Sequence, residues 1–402
     1  MIHVCLSLHD KNGTYSKFTG TTILSIFENT NSPVTVHILH DDTLTQDNRE
    51  NFVYVAGRYS QAVKFYNVAK LCAEKISEMV RLIPFAETSR LSVAALYRLL
   101  IPQLLPAEIE KIIYLDSDII VDTDINELWK IALDGKIFAA VPESSNGIPV
   151  KEFVPLCLKG FVKPENYFNS GVMVIDLKIF RGEEKNLMRG VAFTGKFPEL
   201  VCLDQDVLNY LFSKNYLKLP EKFNAFIKSQ RYYKINLTRG KIYHYTAMSL
   251  GFGLTLDMND EFNRLWLKYF VKTPWFNERI IGRLYESFLQ TQDELKKSAM
   301  KILSAMKNKQ RVFIVADSEL DTLIKNFSVR QDEEILVIQS GIPTRQLIES
   351  MKVFRGQKIF FIMLGGFSFE RLINEGFVRG EDFVDCSEFL PNFNSYPLVA
   401  AM

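Results

Sequence analysis

The sequence has little of several features that mark large classes of protein. No apolar run in the 402 residues approaches the roughly 18–20 residues of a transmembrane helix. The N-terminus, MIHVCLSLHDKNG, lacks the basic start and apolar stretch of a signal peptide. The five cysteines are scattered and form no CxxC pair, which argues against structural zinc and a disulfide framework. A net charge of +1 indicates neither a nucleic-acid binder nor an acidic scaffold. We therefore expect a cytoplasmic protein with reduced thiols and no nucleic-acid partner.

The first part of the chain alternates strand-like and helix-like segments. The strand-like segments are IHVCLSL, VTVHILH, AVKFYNV and KIIYL, and the apolar spacing over residues 88–105 predicts a long helix. Alternation of this kind is typical of an α/β fold with a mainly parallel sheet flanked by helices. The length favours at least two domains, and the composition changes near residue 300.

A second β/α series follows that change. RVFIVAD, EEILVIQS and KIFFIML predict a smaller, half-Rossmann-like α/β domain over residues 312–402. Its first turn, VADSEL, has no glycine, so the backbone could not approach a pyrophosphate closely and we expect no dinucleotide.

Residues 277–311 predict a basic helical linker between the two domains. Residues 296–311 contain six lysines and arginines and no acid, with apolar residues at helical spacing. One interpretation is peripheral contact with the inner face of an anionic membrane, which would bring the protein to a lipid-linked partner. The other is an inter-domain helix with a solvated face.

An acidic pair interrupts the strand-like segment KIIYLDSDIIV. Asp116 and Asp118 follow a run that is nearly all apolar, as expected of a strand covered on both faces. In open parallel sheets, ligands collect at the carboxyl ends of the strands, where this pair lies. Two close carboxylates repel each other, and a divalent cation such as Mg²⁺ or Mn²⁺ would relieve that repulsion. The alternative is that one aspartate caps the next segment and the other is solvated.

Several motifs around this pair resemble those of glycosyltransferase family 8, the retaining enzymes of GT-A fold that use nucleotide sugars. LYRLLIP, YLDSD and INELW occur in the family's order, followed by YFNSGVMVIDL, DQDVLN and KIYHYT. The spacing of Trp266, Tyr269 and Thr273-Pro274-Trp275 is also similar. The resemblance covers residues 1–276 and implies a GT-A catalytic domain there, of bacterial type.

The resemblance implies a role for each motif residue. Asp116, Asp118 and His244 would hold Mn²⁺ or Mg²⁺, and Arg98, with Ser117 in the same acidic turn, would contact the donor. Asn169, Asp204 and Gln205 would act at the sugar of a UDP-sugar donor. Ser7, Asp10 and Tyr15 would contact the nucleotide. The anomeric configuration would be retained by attack of the acceptor on the sugar face that the leaving group departs from, because a neutral amide such as that of Gln205 is a poor nucleophile. The implied activity is transfer of glucose or galactose to a glycan, glycolipid or glycoprotein acceptor.

One departure from the family leaves a second hypothesis open. The family follows its metal histidine with G-x-x-K-P-W, whereas this chain has HYTAMSLGFG, with Ala247 and Leu250 at the glycine and lysine positions. Loss of that lysine would weaken diphosphate binding unless Lys228, Arg231 or Lys234 replaces it. The alternative is therefore a weak or inactive nucleotide-sugar-binding or scaffold protein. A phosphatase of the haloacid-dehalogenase type also uses an LDxD motif, but Ile120 stands where that motif needs Thr or Val. The sequence leaves the oligomeric state open.

Overall fold

The computed structural model divides the chain into two compact units, Met1–Leu284 and Tyr285–Met402. It describes residues 1–11, 13–86, 93–143, 154–200, 202–246, 260–277, 309–316, 333–338, 344–364 and 367–385. The predicted linker therefore lies almost wholly outside the described residues, and the domain limits at 276 and 311 stay predictions. Among the described helices, none is both long and apolar enough to cross a membrane.

Ten strands are described in the first unit. They are β1 (Ile2–Leu8), β2 (Val34–His40), β3 (Ala62–Asn67), β4 (Lys111–Leu115), β5 (Ile119–Asp122), β6 (Phe138–Pro142), β7 (Phe168–Asp176), β8 (Tyr216–Lys218), β9 (Ala225–Phe226) and β10 (Lys241–His244). Seven of them form one sheet in the order β3-β2-β1-β4-β7-β6-β8, and a smaller sheet has the order β5-β10-β9.

The large sheet is mainly parallel, as the alternation of elements predicts. Strands β3, β2, β1 and β4 are parallel neighbours, and β7 is antiparallel to both β4 and β6. The amino end of β7 therefore lies at the same edge of the sheet as the carboxyl end of β4. This reversal places residues near Asn169 beside the acidic pair.

Helices cover both faces of this sheet, where two large apolar clusters form the core. The α-helices are α1 (Tyr15–Asn29), α2 (Gln46–Arg58), α3 (Val68–Leu71), α4 (Ala73–Leu82), α5 (Ile101–Leu104), α6 (Asn126–Trp129), α7 (Pro155–Leu158), α8 (Leu177–Arg181), α9 (Glu184–Thr194), α10 (Leu203–Phe212), α11 (Ile227–Tyr232) and α12 (Glu261–Phe270). Four 3₁₀ segments are Pro84–Ala86, Val93–Leu100, Pro164–Asn166 and Glu221–Phe223.

The long helix predicted over residues 88–105 is wrong as a single α-helix. Residues 87–92 lie outside the described part of the chain, Val93–Leu100 is a 3₁₀ helix, and only Ile101–Leu104 is α-helical. Pro102 has no N–H to donate to the carbonyl four residues earlier, so a continuous α-helix is disfavoured at this point. The proline instead lies in the first turn of α5, where its missing donor costs nothing.

The second unit contains a separate, fully parallel sheet, in agreement with the predicted small α/β domain. The elements are β11 (Gln310–Ala316), β12 (Glu334–Ile338), α13 (Thr344–Lys352), β13 (Lys358–Met363), α14 (Phe369–Asn374) and β14 (Phe383–Asp385). The order of the strands in the sheet is β12-β11-β13-β14. The turn after β11 lies outside the described residues, so the absence of a dinucleotide stays a prediction.

Candidate active site

Strand pairing brings His244 to the acidic pair. Strand β10 runs antiparallel to β5, and the pairing places His244 opposite Ile119, next to Asp118. The Tyr245 N–H donates to the Asp118 carbonyl at 2.9 Å, which extends this ladder by one bond. Asp116 is held from the other side, because its N–H donates to the Gly171 carbonyl at 2.8 Å.

Asp116, Asp118 and His244 each offer one ligand atom, and these atoms lie within 4.8 Å of one another. The His244 Nε2 atom is 3.3 Å from Asp118 Oδ1 and 3.8 Å from Asp116 Oδ2. Burial disfavours a charged imidazole, but the neighbouring carboxylates of Asp118 and Asp116 outweigh it and raise the pKa of His244. The site thus concentrates negative charge around one nitrogen.

The three candidate ligand side chains and the space between them fit a divalent cation. Carboxylate oxygens are the ligands that Mg²⁺ and Mn²⁺ prefer, and one imidazole is compatible with such a set. Gly171 lines the same space, where a Cβ atom would lie 2.4 Å from His244 Cε1 and 2.7 Å from Asp116 Oδ2. Only a residue without a side chain leaves this space open.

Arg98 links the acidic pair to the start of α10. Its Nη2 donates to Asp116 Oδ1 at 2.7 Å, and its Nε lies 3.0 Å from Asp204 Oδ2. Its Nη1 donates to the carbonyl and the hydroxyl of Ser170, and the guanidinium lies over the Tyr114 ring. Burial opposes the positive charge, but the two carboxylates outweigh burial and raise the pKa of Arg98. The contacts described for Arg98 are therefore with protein groups, and its contact with a nucleotide-sugar donor stays a prediction.

Asp204 is buried in the first turn of α10. Burial raises the pKa of Asp204 to about 6, although its ion pair with Arg98 acts in the opposite direction. One guanidinium is shared between Asp204 and Asp116, so it offsets only part of the desolvation of Asp204. Ser170 Oγ also donates to Asp204 at 3.0 Å.

The amide of Gln205 has a defined orientation. Its Oε1 accepts the Ser170 backbone N–H at 2.9 Å, so its Nε2 faces the other way. That nitrogen donates to Glu143 Oε2 at 3.0 Å and to the Tyr167 hydroxyl at 3.2 Å. Glu143 also accepts from Asn169 Nδ2 at 2.9 Å. Asn169, Gln205 and Glu143 therefore form one hydrogen-bonded group.

Hydrogen bonds join Ser117 and the three residues predicted to contact the nucleotide around the start of α1, which are Ser7, Asp10 and Tyr15. Asp10 accepts the Tyr15 N–H at 2.8 Å and the Asn48 amide at 3.0 Å, and it also accepts the Ser16 hydroxyl. Ser117 Oγ donates to the Ser7 carbonyl at 3.1 Å. These bonds define the position of the segment, and its contact with a nucleotide stays a prediction. Ala247 and Leu250 lie outside the described residues.

Three polar residues of this site were not predicted from the sequence, Glu143, Ser170 and Asn224. Glu143 follows the last residue of β6, so the rule that selected the acids after β4 could have found it. Asn224 has no local signal, since it follows a short 3₁₀ turn and precedes a two-residue strand. Its place beside His244 depends on the pairing of β9 with β10.

The chain is similar to several known proteins. The family model Glycosyl transferase family 8 matches residues 6–249. General stress protein A of Bacillus subtilis is 27% identical over 231 residues, which cover 56% of this chain and 74% of that protein. Lipopolysaccharide 1,2-glucosyltransferase of Escherichia coli is 30% identical over 276 residues, which cover 64% of this chain and 75% of that protein.

The fold of this chain is also similar to that of solved structures. A crystal structure of galactosyltransferase LgtC in complex with donor and acceptor sugar analogs superposes with a TM-score of 0.55 at 17% identity, covering 70% of this chain and 100% of that one. This likeness confirms the predicted GT-A fold. Since the family model spans more than half of the chain, and the glucosyltransferase match covers most of that enzyme, the chain belongs to glycosyltransferase family 8.

Proposed function

We propose that this glycosyltransferase is a metal-dependent, retaining hexosyltransferase that moves glucose or galactose from a UDP-sugar to a glycan, glycolipid or glycoprotein acceptor. The observation that supports it most is the meeting of Asp116, Asp118 and His244 within 4.8 Å, beside Asp204 and Gln205. Two of the similar proteins are named as a glucosyltransferase and a galactosyltransferase, which supports a hexose donor.

In this proposal, Asp116, Asp118 and His244 hold Mn²⁺ or Mg²⁺. A bound cation of this kind would offset the charge that develops on a departing diphosphate. Arg98 holds the Asp116 carboxylate in place and keeps Asp204 next to it. Ser7, Asp10, Tyr15 and Ser117 would contact the nucleotide at the neighbouring edge of the sheet.

The sugar would lie against Asn169, Asp204 and Gln205, and Glu143 belongs to the same group. The Gln205 carbonyl oxygen already accepts a backbone N–H, which leaves it a weaker nucleophile still. This contact supports same-face attack by the acceptor rather than a covalent intermediate on Gln205. The amide would then position the sugar and stabilise positive charge at its anomeric carbon through the oxygen dipole.

A thermal-shift screen of UDP-glucose and UDP-galactose, each with and without Mn²⁺, tests the donor and the metal together. We expect a stabilising shift with one donor that increases with Mn²⁺, because a ligand that binds only the folded state stabilises it. Asp118→Ala should abolish the part of the shift that depends on Mn²⁺. An unchanged Mn²⁺-dependent shift in this variant would contradict the metal assignment.

Hydrolysis of the same donors separates an enzyme from a binding protein. The departure at Ala247 and Leu250 is the feature that favours a weak or inactive protein. Tight UDP binding without turnover of any common UDP-sugar would establish that alternative. Turnover that requires Mn²⁺ would support the transferase.

A further inference from the structure

Asn224 is a buried asparagine that contacts a proposed metal ligand without being one. It is fully shielded from solvent and lies between the 3₁₀ segment Glu221–Phe223 and β9. Parallel pairing of β9 with β10 places Phe226 opposite His244, and the Asn224 side chain reaches the same imidazole. Its Oδ1 is 2.9 Å from His244 Nδ1, and its Nδ2 is 2.9 Å from Asn169 Oδ1.

The direction of each hydrogen bond in this chain of contacts is determined by one backbone group. The Gly171 N–H can only donate, so the Asn169 atom that it meets at 2.9 Å is the carbonyl oxygen. The Asn224 atom facing that oxygen must then be its NH₂ group. The Asn224 carbonyl oxygen is left facing His244 Nδ1, which must carry a proton to donate to it.

This arrangement determines which nitrogen His244 presents to the acidic pair. With a proton held on Nδ1, the nitrogen with a lone pair available to a cation is Nε2, which lies 3.3 Å from Asp118 Oδ1. An imidazole that binds a metal through one nitrogen is commonly oriented by a hydrogen bond from the other. An amide in that place adds no charge to a site that already has two carboxylates.

We propose that Asn224 is a positioning residue for the metal site, which holds the His244 ring with Nδ1 protonated and Nε2 directed at Asp116 and Asp118. Gly171 and Asn169 set the orientation of the Asn224 amide. This inference rests on the proposed metal-dependent function, and it extends the site to a residue that hydrogen-bonds to His244 and Asn169.

Two substitutions separate positioning from packing. Asn224→Leu keeps the approximate volume and removes the acceptor, and we expect the Kd for Mn²⁺ to rise about 10–100-fold. Asn224→Asp keeps an acceptor for Nδ1–H, and we expect it to retain Mn²⁺ affinity better than the leucine variant. A buried carboxylate is expected to lower the free energy of unfolding more than leucine does. Mn²⁺ affinity and stability should therefore rank the two variants in opposite orders.

The measurements are isothermal titration with Mn²⁺ alone and urea unfolding of the full chain. Asn29→Leu is the matched control, because the Asn29 amide bonds to the Ser25 and Val121 carbonyls and the Tyr269 hydroxyl, none of which belongs to the site. We expect this control to lose stability and keep its Mn²⁺ affinity. Wild-type affinity in Asn224→Leu, or equal losses of affinity in Asn224→Leu and Asn29→Leu, would overturn the proposal.

Nitrogen-15 NMR of the histidine side chains tests the positioning without metal or activity. The chain has five histidines, and His244→Gln assigns the relevant signals. At a pH high enough to leave the His244 imidazole neutral, we expect its proton on Nδ1 in the wild type and a changed distribution of the proton between Nδ1 and Nε2 in Asn224→Leu. The same distribution in both proteins would overturn the inference. If the wild type bound no Mn²⁺, the proposed function would fail, and this measurement would still decide the role of Asn224.

Discussion

Replacing Gly171 with alanine would place a methyl group in the space between the proposed metal ligands. The new Cβ would lie 2.4 Å from His244 Cε1, 2.7 Å from Asp116 Oδ2 and 2.9 Å from Asn169 Oδ1. An ordinary contact of such an atom is 3.4–4 Å. The backbone of β7 can remain in place, because the φ of Gly171 is not in the left-handed region. The side chains must therefore move.

The His244 ring would have to move by about 1 Å, and misplacement on this scale can cost on the order of 10²-fold at a site that depends on geometry. We therefore expect the Kd for Mn²⁺ to rise by about 10–100-fold, the range seen when groups that orient metal ligands are lost. Overpacking of a buried position also costs about 1–3 kcal/mol of unfolding free energy. Both effects follow from the same displaced side chains.

Isothermal titration with Mn²⁺ and urea unfolding measure the two effects separately. Gly190→Ala is the matched control, since its Cβ would meet Leu211 Cδ1 at 2.7 Å between α9 and α10, among apolar atoms. Gly57→Ala is the second control, because its Cβ would meet nothing within 4 Å and alanine should stabilise α2 by about 0.5–1 kcal/mol. Wild-type Mn²⁺ affinity in Gly171→Ala, or an equal loss in Gly190→Ala, would refute the reasoning.

Two further predictions concern buried charge. Arg98→Met should lower the unfolding free energy by about 3–5 kcal/mol, because it leaves the buried Asp204 carboxylate without its positive partner. Unchanged urea unfolding would contradict this. Burial, with the nearby charges of His3 and Lys64, lowers the pKa of His37 to about 3. The stability that the neutral, buried His37 ring contributes is therefore present above pH 6.5 and is lost as the pH falls toward 3. Between pH 7 and pH 5 the unfolding free energy should fall by about 2 kcal/mol through this residue. A His37→Gln variant whose unfolding free energy depends on pH as steeply as that of the wild type would contradict the prediction.

The local sequence pattern was sufficient to predict the strand that precedes the acidic pair. The apolar run 111–115 predicts a strand covered on both faces, and the acids that follow it lie at the carboxyl edge of the mainly parallel sheet. The motif order identified the family, and His244 was predicted as the third ligand from its place in that order. Pro102 was also visible in the sequence, and its missing N–H should have divided the helix predicted over residues 88–105.

Only the tertiary structure decided which polar groups meet. The periodicity of a strand tells which side chains share a face, and it does not tell which distant strand lies next to it or in which direction. The reversal of β7 brings Gly171 to Asp116, and the pairing of β9 with β10 brings Asn224 to His244. These contacts join residues separated by tens of positions along the chain, so their geometry depends on the packing of the whole sheet. The sequence by itself thus determined the family, the fold class and the candidate metal ligands, and the packed sheet determined how the imidazole and the amides around it are oriented.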